Sequence, residues 1–83
     1  MKILYFAWVK ARIGKSGEDL APPPDVRNVG QLIRFLQSRG EGYADAFADA
    51  GRVRAAVNQV QAGPDTPIAA GDEIAFFPPV TGG

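Results

Sequence analysis

The chain has 83 residues, with nine Lys and Arg set against nine Asp and Glu, and it contains neither His nor Cys. That length accommodates one small domain, and the two absences exclude a zinc site of ordinary type, a Ser–His pair, a cysteine nucleophile and a disulfide framework. A formal net charge of zero argues against a nucleic-acid binder, whose electrostatic footprint is basic.

The opening segment, MKILYFAWVKAR, carries an apolar run from Ile3 to Val9. It is too short to span a membrane and lacks a small-residue cleavage site, so a soluble, cytoplasmic protein with no membrane partner is expected. Residues 2–9 are aromatic and β-branched and predict a strand. Period-two alternation places Ile3, Tyr5, Ala7 and Val9 on one face and Leu4, Phe6 and Trp8 on the other. The stretch after it holds Gly14 and Gly17 and reads as a hairpin turn or longer loop. A second, weaker strand is expected around residues 18–21, ended by Pro22, Pro23 and Pro24, which cannot donate ladder hydrogen bonds.

Asn28 gives the strongest helix start. Gln31 stands three residues later, as in a capping box, and Val29, Leu32, Ile33 and Leu36 follow one helical stripe. Arg39 suits the negative helix end, and Gly40 is the expected stop. A shorter helix is expected over residues 43–50, with Tyr43, Ala46, Phe47 and Ala50 on one face and Gly51 closing it. Residues 52–60 then read as a strand, with Val53, Ala55 and Val57 alternating against Arg52, Arg54 and Ala56. Turns at Gly63-Pro64-Asp65 and Gly71-Asp72 lead to a last strand, in which Ile74 and Phe76 share one face and Glu73, Ala75 and Phe77 the other. Pro78 and Pro79 stop it. The expected architecture is an α+β roll, a mixed sheet of four to five strands with one main and one short helix across a face. Its near-continuous apolar first and last strands are expected to pair in parallel at the centre.

The sequence ends in Gly82-Gly83. A frayed terminus is one reading. The other is a functional tail: Pro78-Pro79 is a stiff spacer that projects the residues beyond it, and glycines lacking Cβ can thread a narrow channel. The tip would then offer an α-carboxylate. Phe6 and Phe77 fall on the faces assigned outward, so either those faces are reversed and both are core, or they form an apolar docking patch at the tail root. Lys10, Arg12 and Lys15 make a small basic cluster, and the adjacent Asp72 and Glu73 point to opposite faces, which favours a turn role for Asp72.

The segment GDEIAFFPPVTGG, residues 71–83, closely resembles the C-terminal signature of the small subunits of molybdopterin synthase, ubiquitin-like β-grasp sulfur carriers also called molybdopterin converting factor subunit one. The resemblance extends to the opening KILYFAWVKARIG, to Asn28-Val29-Gly30-Gln31-Leu32 and to Ala55-Ala56-Val57-Asn58-Gln59. It implies a β-grasp domain over residues 1–77 and a projecting tail over 78–83. It further implies that an adenylyltransferase of the ubiquitin-activating type, using ATP and Mg²⁺, converts the Gly83 carboxylate to an acyl-adenylate, from which a persulfide sulfur displaces AMP to leave a thiocarboxylate. The tail, with Gly82 threading beside Gly83, would enter the large synthase subunit in a heterotetramer of two small and two large subunits. There the sulfur would pass to cyclic pyranopterin monophosphate to build the molybdopterin dithiolene. No cofactor is then held permanently by the carrier, and docking falls to Phe6, Phe77, Pro78, Pro79, Val80 and Thr81. The thiamine-pathway and tRNA-thiolation carriers, and a non-covalent β-grasp interaction module, are the alternative readings.

Overall fold

The computed structural model describes residues 1–79, Ala50 by its backbone alone. Strand β1 (Lys2–Tyr5) buries Ile3 and Tyr5 and leaves Lys2 and Leu4 on the opposite face. The strand expected over residues 2–9 stops there. Phe6 is still extended, but Ala7 has a left-handed φ of 53°, and the chain turns into helix α1 (Ala7–Ile13). Val9 faces the core and Ile13, four residues on, packs against it, a spacing that fits a helix as well as Ile3, Tyr5 and Val9 fit a strand. Ala7, which strand alternation would bury, is exposed. Gly14 is the helix C-cap rather than part of a hairpin turn: its φ is 92° and its N–H donates to the Lys10 carbonyl at 2.8 Å, a backbone state that glycine takes without a Cβ penalty.

Strand β2 (Gly17–Asp19) then pairs antiparallel with β1, Ile3 opposite Glu18. A Cβ on Gly17 would lie 2.8 Å from the Ile3 carbonyl oxygen, so this edge needs glycine for its close approach. The strand ends at Asp19, two residues short of the expected limit, ahead of the proline run.

Helix α2 (Val29–Gln37) starts where the cap predicts. The Asn28 carboxamide oxygen accepts the Gln31 N–H at 2.8 Å, and the Gln31 side chain accepts the Arg27 N–H at 2.7 Å. The reciprocal bond therefore reaches the residue before the cap. Val29, Leu32 and Leu36 are buried. The helix closes at Ser38. Gly40, expected as its stop, is extended and instead precedes helix α3 (Glu41–Ala46) as N-cap. Helix α3 is shorter than expected, and a 3₁₀ turn (Ala50–Arg52) takes up Gly51. Tyr43, Ala46 and Phe47 do share the buried face. A Cβ on Gly42 would meet the Arg12 carbonyl oxygen at 2.7 Å, so α1 and α3 cross in close backbone contact.

The single strand expected over residues 52–60 is a hairpin. Strands β3 (Arg54–Val57) and β4 (Val60–Ala62) pair antiparallel through Asn58 and Gln59, both left-handed at φ 51° and 70°. A two-residue turn of this kind matches the twist of the flanking strands. Strand β5 (Glu73–Phe77) follows and alternates as expected, with Ile74 and Phe76 buried.

The sheet order is β2-β1-β5-β3-β4. Strands β1 and β5 lie at the centre in parallel, Tyr5 beside Phe76, and the other pairs are antiparallel. One sheet face, carrying Ile3, Tyr5, Ala55, Ile74 and Phe76, packs with Val9, Leu32, Leu36 and Phe47 from the helical layer. Phe76 stands at the hub, edge-on to Phe47 with ring centroids 5.0 Å apart and stacked with Tyr5 at 6.3 Å. This is the expected α+β β-grasp roll with five strands, and α1 is a third helix where strand and loop are expected from the sequence.

Candidate functional site at the root of the tail

Strand β5 delivers the chain to Pro78 and Pro79, both partly buried. Val80, Thr81, Gly82 and Gly83 lie outside the described residues, so the site is built from the surface they leave. Alternation sends Phe76 into the core and Phe77 to the opposite face, where it is partly buried. The Phe6 N–H donates to the Phe76 carbonyl at 3.0 Å, which ties the end of β1 to the end of β5. Continuing the parallel register sets Phe6 beside Phe77. On the other flank, Arg54 of β3 is the registered partner of Phe77.

Phe6 is 48% exposed, and with Val60 it makes up the exposed large hydrophobics of the described residues. The corner at Ala7 explains this. A left-handed φ at a residue with a Cβ is disfavoured, and here it reverses the chain directly after Phe6, leaving the ring outside both β1 and α1. Behind Phe6 and Phe77, Leu4, Ala75 and Ala56 lie in one registered row across β1, β5 and β3. The sheet face turned away from the helices therefore presents a small apolar field that ends at the tail root. The charged residues Lys2 and Glu73 share the next row, at the far end of that face.

The basic cluster read from sequence divides in space. The Arg12 guanidinium lies 4.7 Å from the Trp8 ring centroid and 3.8 Å from the Asp45 carboxylate, while Lys15 pairs with Glu18 at 3.4 Å. Lys10 is exposed and has no ion pair among the described residues.

Sequence reasoning missed Glu18 altogether. Its carboxylate accepts the hydroxyls of Tyr5 at 2.8 Å and Tyr43 at 2.6 Å, the Arg39 guanidinium at 2.8 Å and the Lys15 ammonium. Burial works to raise its pKa, but the bonds from Tyr43, Arg39 and Tyr5 and the Arg39 charge outweigh it and hold the carboxyl at about 2, against an ordinary 4.5. Burial first, and then the Glu18 bond and charge, push the Tyr5 hydroxyl far above its usual value, so it stays protonated and donating. This cluster fastens edge strand β2 to β1, α3 and the segment after α2. It is a clamp on the fold, and through Tyr5, which stacks on Phe76, it reaches the core side of the sheet behind the tail root.

Asp72 has the turn role expected of it. One carboxylate oxygen accepts the Ala69 N–H at 2.8 Å and the other the Asn58 carboxamide at 3.0 Å, and the Asn58 bond, then the Ala69 N–H, hold its pKa below the usual carboxylate value. Asn58 also accepts the Glu73 N–H at 3.0 Å, so the hairpin turn fixes the start of β5. No group of three or more His, Cys, Asp and Glu side chains able to hold a metal ion occurs among the described residues, and no helix there is long and apolar enough to cross a membrane. What converges on the tail root is aromatic and aliphatic surface with one arginine, an arrangement suited to docking and to presenting a peptide tail.

A mixed five-stranded sheet with a parallel central pair and an apolar patch where the last strand ends defines a small α+β protein of the β-grasp, ubiquitin-like class. Comparison with known proteins narrows that class. Residues 3–83 match the ThiS family, and the chain belongs to it. The molybdopterin synthase sulfur carrier subunit of Escherichia coli K12 is 40% identical over 83 residues, covering 100% of this chain and 99% of that one. The molybdopterin synthase sulfur carrier subunit of Haemophilus influenzae is 34% identical over the same span and shares. Among solved structures, a Pyrococcus furiosus protein described as molybdopterin converting factor, subunit 1, superimposes with a TM-score of 0.77 at 26% identity over 95% of both chains.

Proposed function

We propose that this protein is the sulfur-carrier subunit of a molybdopterin synthase and works in the cytoplasm. The observation that carries the reading is the full-length similarity to sulfur carrier subunits of that enzyme, joined to the apolar patch of Phe6 and Phe77 at the point where β5 gives way to Pro-Pro-Val-Thr-Gly-Gly.

The chemistry is placed at the main chain. A carboxylate is a poor electrophile, and adenylation of Gly83 by an ATP- and Mg²⁺-dependent activating enzyme supplies a leaving group, dividing one difficult step into two easier ones. The terminal sulfur of a persulfide displaces AMP to give an acyl disulfide. A second thiol then cleaves the S–S bond, leaving as a disulfide with the former persulfide sulfur, while the carrier departs with a C-terminal thiocarboxylate. In the large subunit that sulfur is transferred to cyclic pyranopterin monophosphate, and two such transfers build the dithiolene. A carrier of this type needs no acid, base or metal of its own, because its two partners provide them, so a chain without His or Cys is chemically sufficient. Phe6, Phe77 and the two prolines dock the body, Val80 and Thr81 line the entry, and Gly82 lets the partner's backbone close around the tail.

Molybdopterin formation from cyclic pyranopterin monophosphate, reconstituted with the large subunit, the activating enzyme, ATP and a sulfur donor, tests the proposal. The chain lacking Gly83 should fold normally and support no product. Product formation by that truncated chain at the full-length rate would refute the assignment, as would failure of the full-length chain to support any.

A further inference from the structure

Three of the cations in this electrically balanced chain are paired within the fold: Arg12 with Asp45, and Lys15 and Arg39 with Glu18. Arg54 is different. It is exposed, opens β3 on the outer sheet face as the registered neighbour of Phe77, and its side chain has no ion pair or hydrogen bond among the described residues. The acidic residues that the register puts on that face, Asp19 and Glu73, both flank Lys2 at its far end, Glu73 four positions before Phe77 on β5, about 13 Å along the strand. The rest of β3 is Ala55, Ala56 and Val57. Arg54 thus sets a single cation into the edge of an apolar field, beside the last ladder position before the tail.

Docking that field against a partner would strip water from the guanidinium. An arginine desolvated without a counter-charge is costly, whereas one matched to a carboxylate across an interface fixes orientation and speeds encounter. We infer that the surface receiving the tail on the large synthase subunit carries a carboxylate at the lip of its channel, and that Arg54 pairs with it to set the register in which the tail enters. Arg54 is a specificity-determining docking residue, with no role at the reacting carbonyl. Its guanidinium fork suits a two-point carboxylate contact that a lysine ammonium does not reproduce.

The inference rests on the carrier reading, and the test separates the two. Affinity for the cognate large subunit is measured for the full-length wild type and for Arg54→Ala, Arg54→Lys, Arg54→Glu and Lys2→Ala at roughly 50 mM and 500 mM salt, a range that spans strong to weak screening. The expected result at low salt is about tenfold weaker binding for Arg54→Ala, an intermediate loss for Arg54→Lys and a loss on the order of a hundredfold for Arg54→Glu. High salt should narrow these gaps. Lys2→Ala, on the far row of the same face, should bind as the wild type does, and all variants should melt within a few degrees of it, because Arg54 holds nothing in the fold. Changing acidic residues around the large subunit's tail channel to Lys, one at a time, should identify one that weakens the wild type and restores Arg54→Glu. Arg54→Glu within twofold of a wild type that does bind overturns the inference and leaves the carrier reading standing. A wild type that does not bind the large subunit overturns both.

Discussion

The clearest quantitative test of the fold's internal electrostatics is Glu18→Gln. The substitution keeps an oxygen acceptor but removes the charge that Tyr5, Tyr43, Arg39 and Lys15 converge on, and it turns an amide towards two cations. Glu18 titrates at about 2 in the folded protein against an ordinary 4.5. Each tenfold change in proton affinity is worth about 1.4 kcal/mol, so the full difference approaches roughly 3 kcal/mol. The side chain keeps 11% of its surface in water, and screening there reduces the figure to about 2 kcal/mol. Because the folded-state value is depressed, this stabilisation is complete above about pH 4.5 and is lost as pH falls towards 2. Urea unfolding should therefore give Glu18→Gln about 2 kcal/mol less stability than wild type at pH 7, with an unchanged m-value. The gap should shrink to well under 1 kcal/mol near pH 2.5, where the unfolded carboxyl is protonated and the pH lies only about half a unit above the folded carboxyl's own value. A gap of the same size at both pH values, or none at pH 7, would refute the account of the cluster.

Other substitutions probe separate features. Gly42→Ala puts a Cβ against the Arg12 carbonyl oxygen and should cost about 2 kcal/mol, lowering the melting temperature by roughly 10 °C. Gln59→Gly should stabilise by about 0.5–1 kcal/mol in the same melts, since Gln59 holds a φ of 70° that glycine adopts freely. Phe6→Ala should change stability by less than about 1 kcal/mol, because the ring is half exposed. It should nevertheless weaken large-subunit binding tenfold or more in calorimetry, the behaviour of an interface anchor.

Legibility in the sequence followed how local each determinant is. Helix α2 could be placed from Asn28, Gln31 and one apolar stripe, because capping bonds and helical faces act within a few residues. Strand β5 could be placed because Ile74 and Phe76 alternate strictly and two prolines stop the ladder. Helix α1 is ambiguous in the sequence because Ile3, Tyr5 and Val9 satisfy a strand period while Val9 and Ile13 satisfy a helical one. Gly14 as C-cap behind Lys10 and Arg12 was the available signal for a helix end. Strand β4 was merged with β3 because Asn58-Gln59 lacks the glycine that usually marks such a turn. The Glu18 cluster gathers residues 5, 15, 18, 39 and 43, and no short-range pattern encodes a contact of that reach. At the tail root, alternation alone set Phe77 outward. The same alternation sets Phe6 outward, since it is still extended after Tyr5; what the sequence did not disclose is the left-handed corner at Ala7 that ends β1 directly behind it.

These features share one logic. The parallel β1–β5 pair sits at the sheet centre, so the last strand is held by β1 and β3 on its two sides. Phe6, Phe77 and Arg54 surround the end of β5, where it passes into Pro78-Pro79. On the proposed carrier function, partners grip this body while Gly83 is the group that reacts. The intact mass of the full-length protein, before and after incubation with the activating enzyme, ATP and a sulfur donor, tests that claim most directly. The account predicts the increment of one oxygen replaced by sulfur, confined to the C-terminal fragment and absent without ATP. An unchanged mass, under conditions that charge the Escherichia coli carrier, would contradict it.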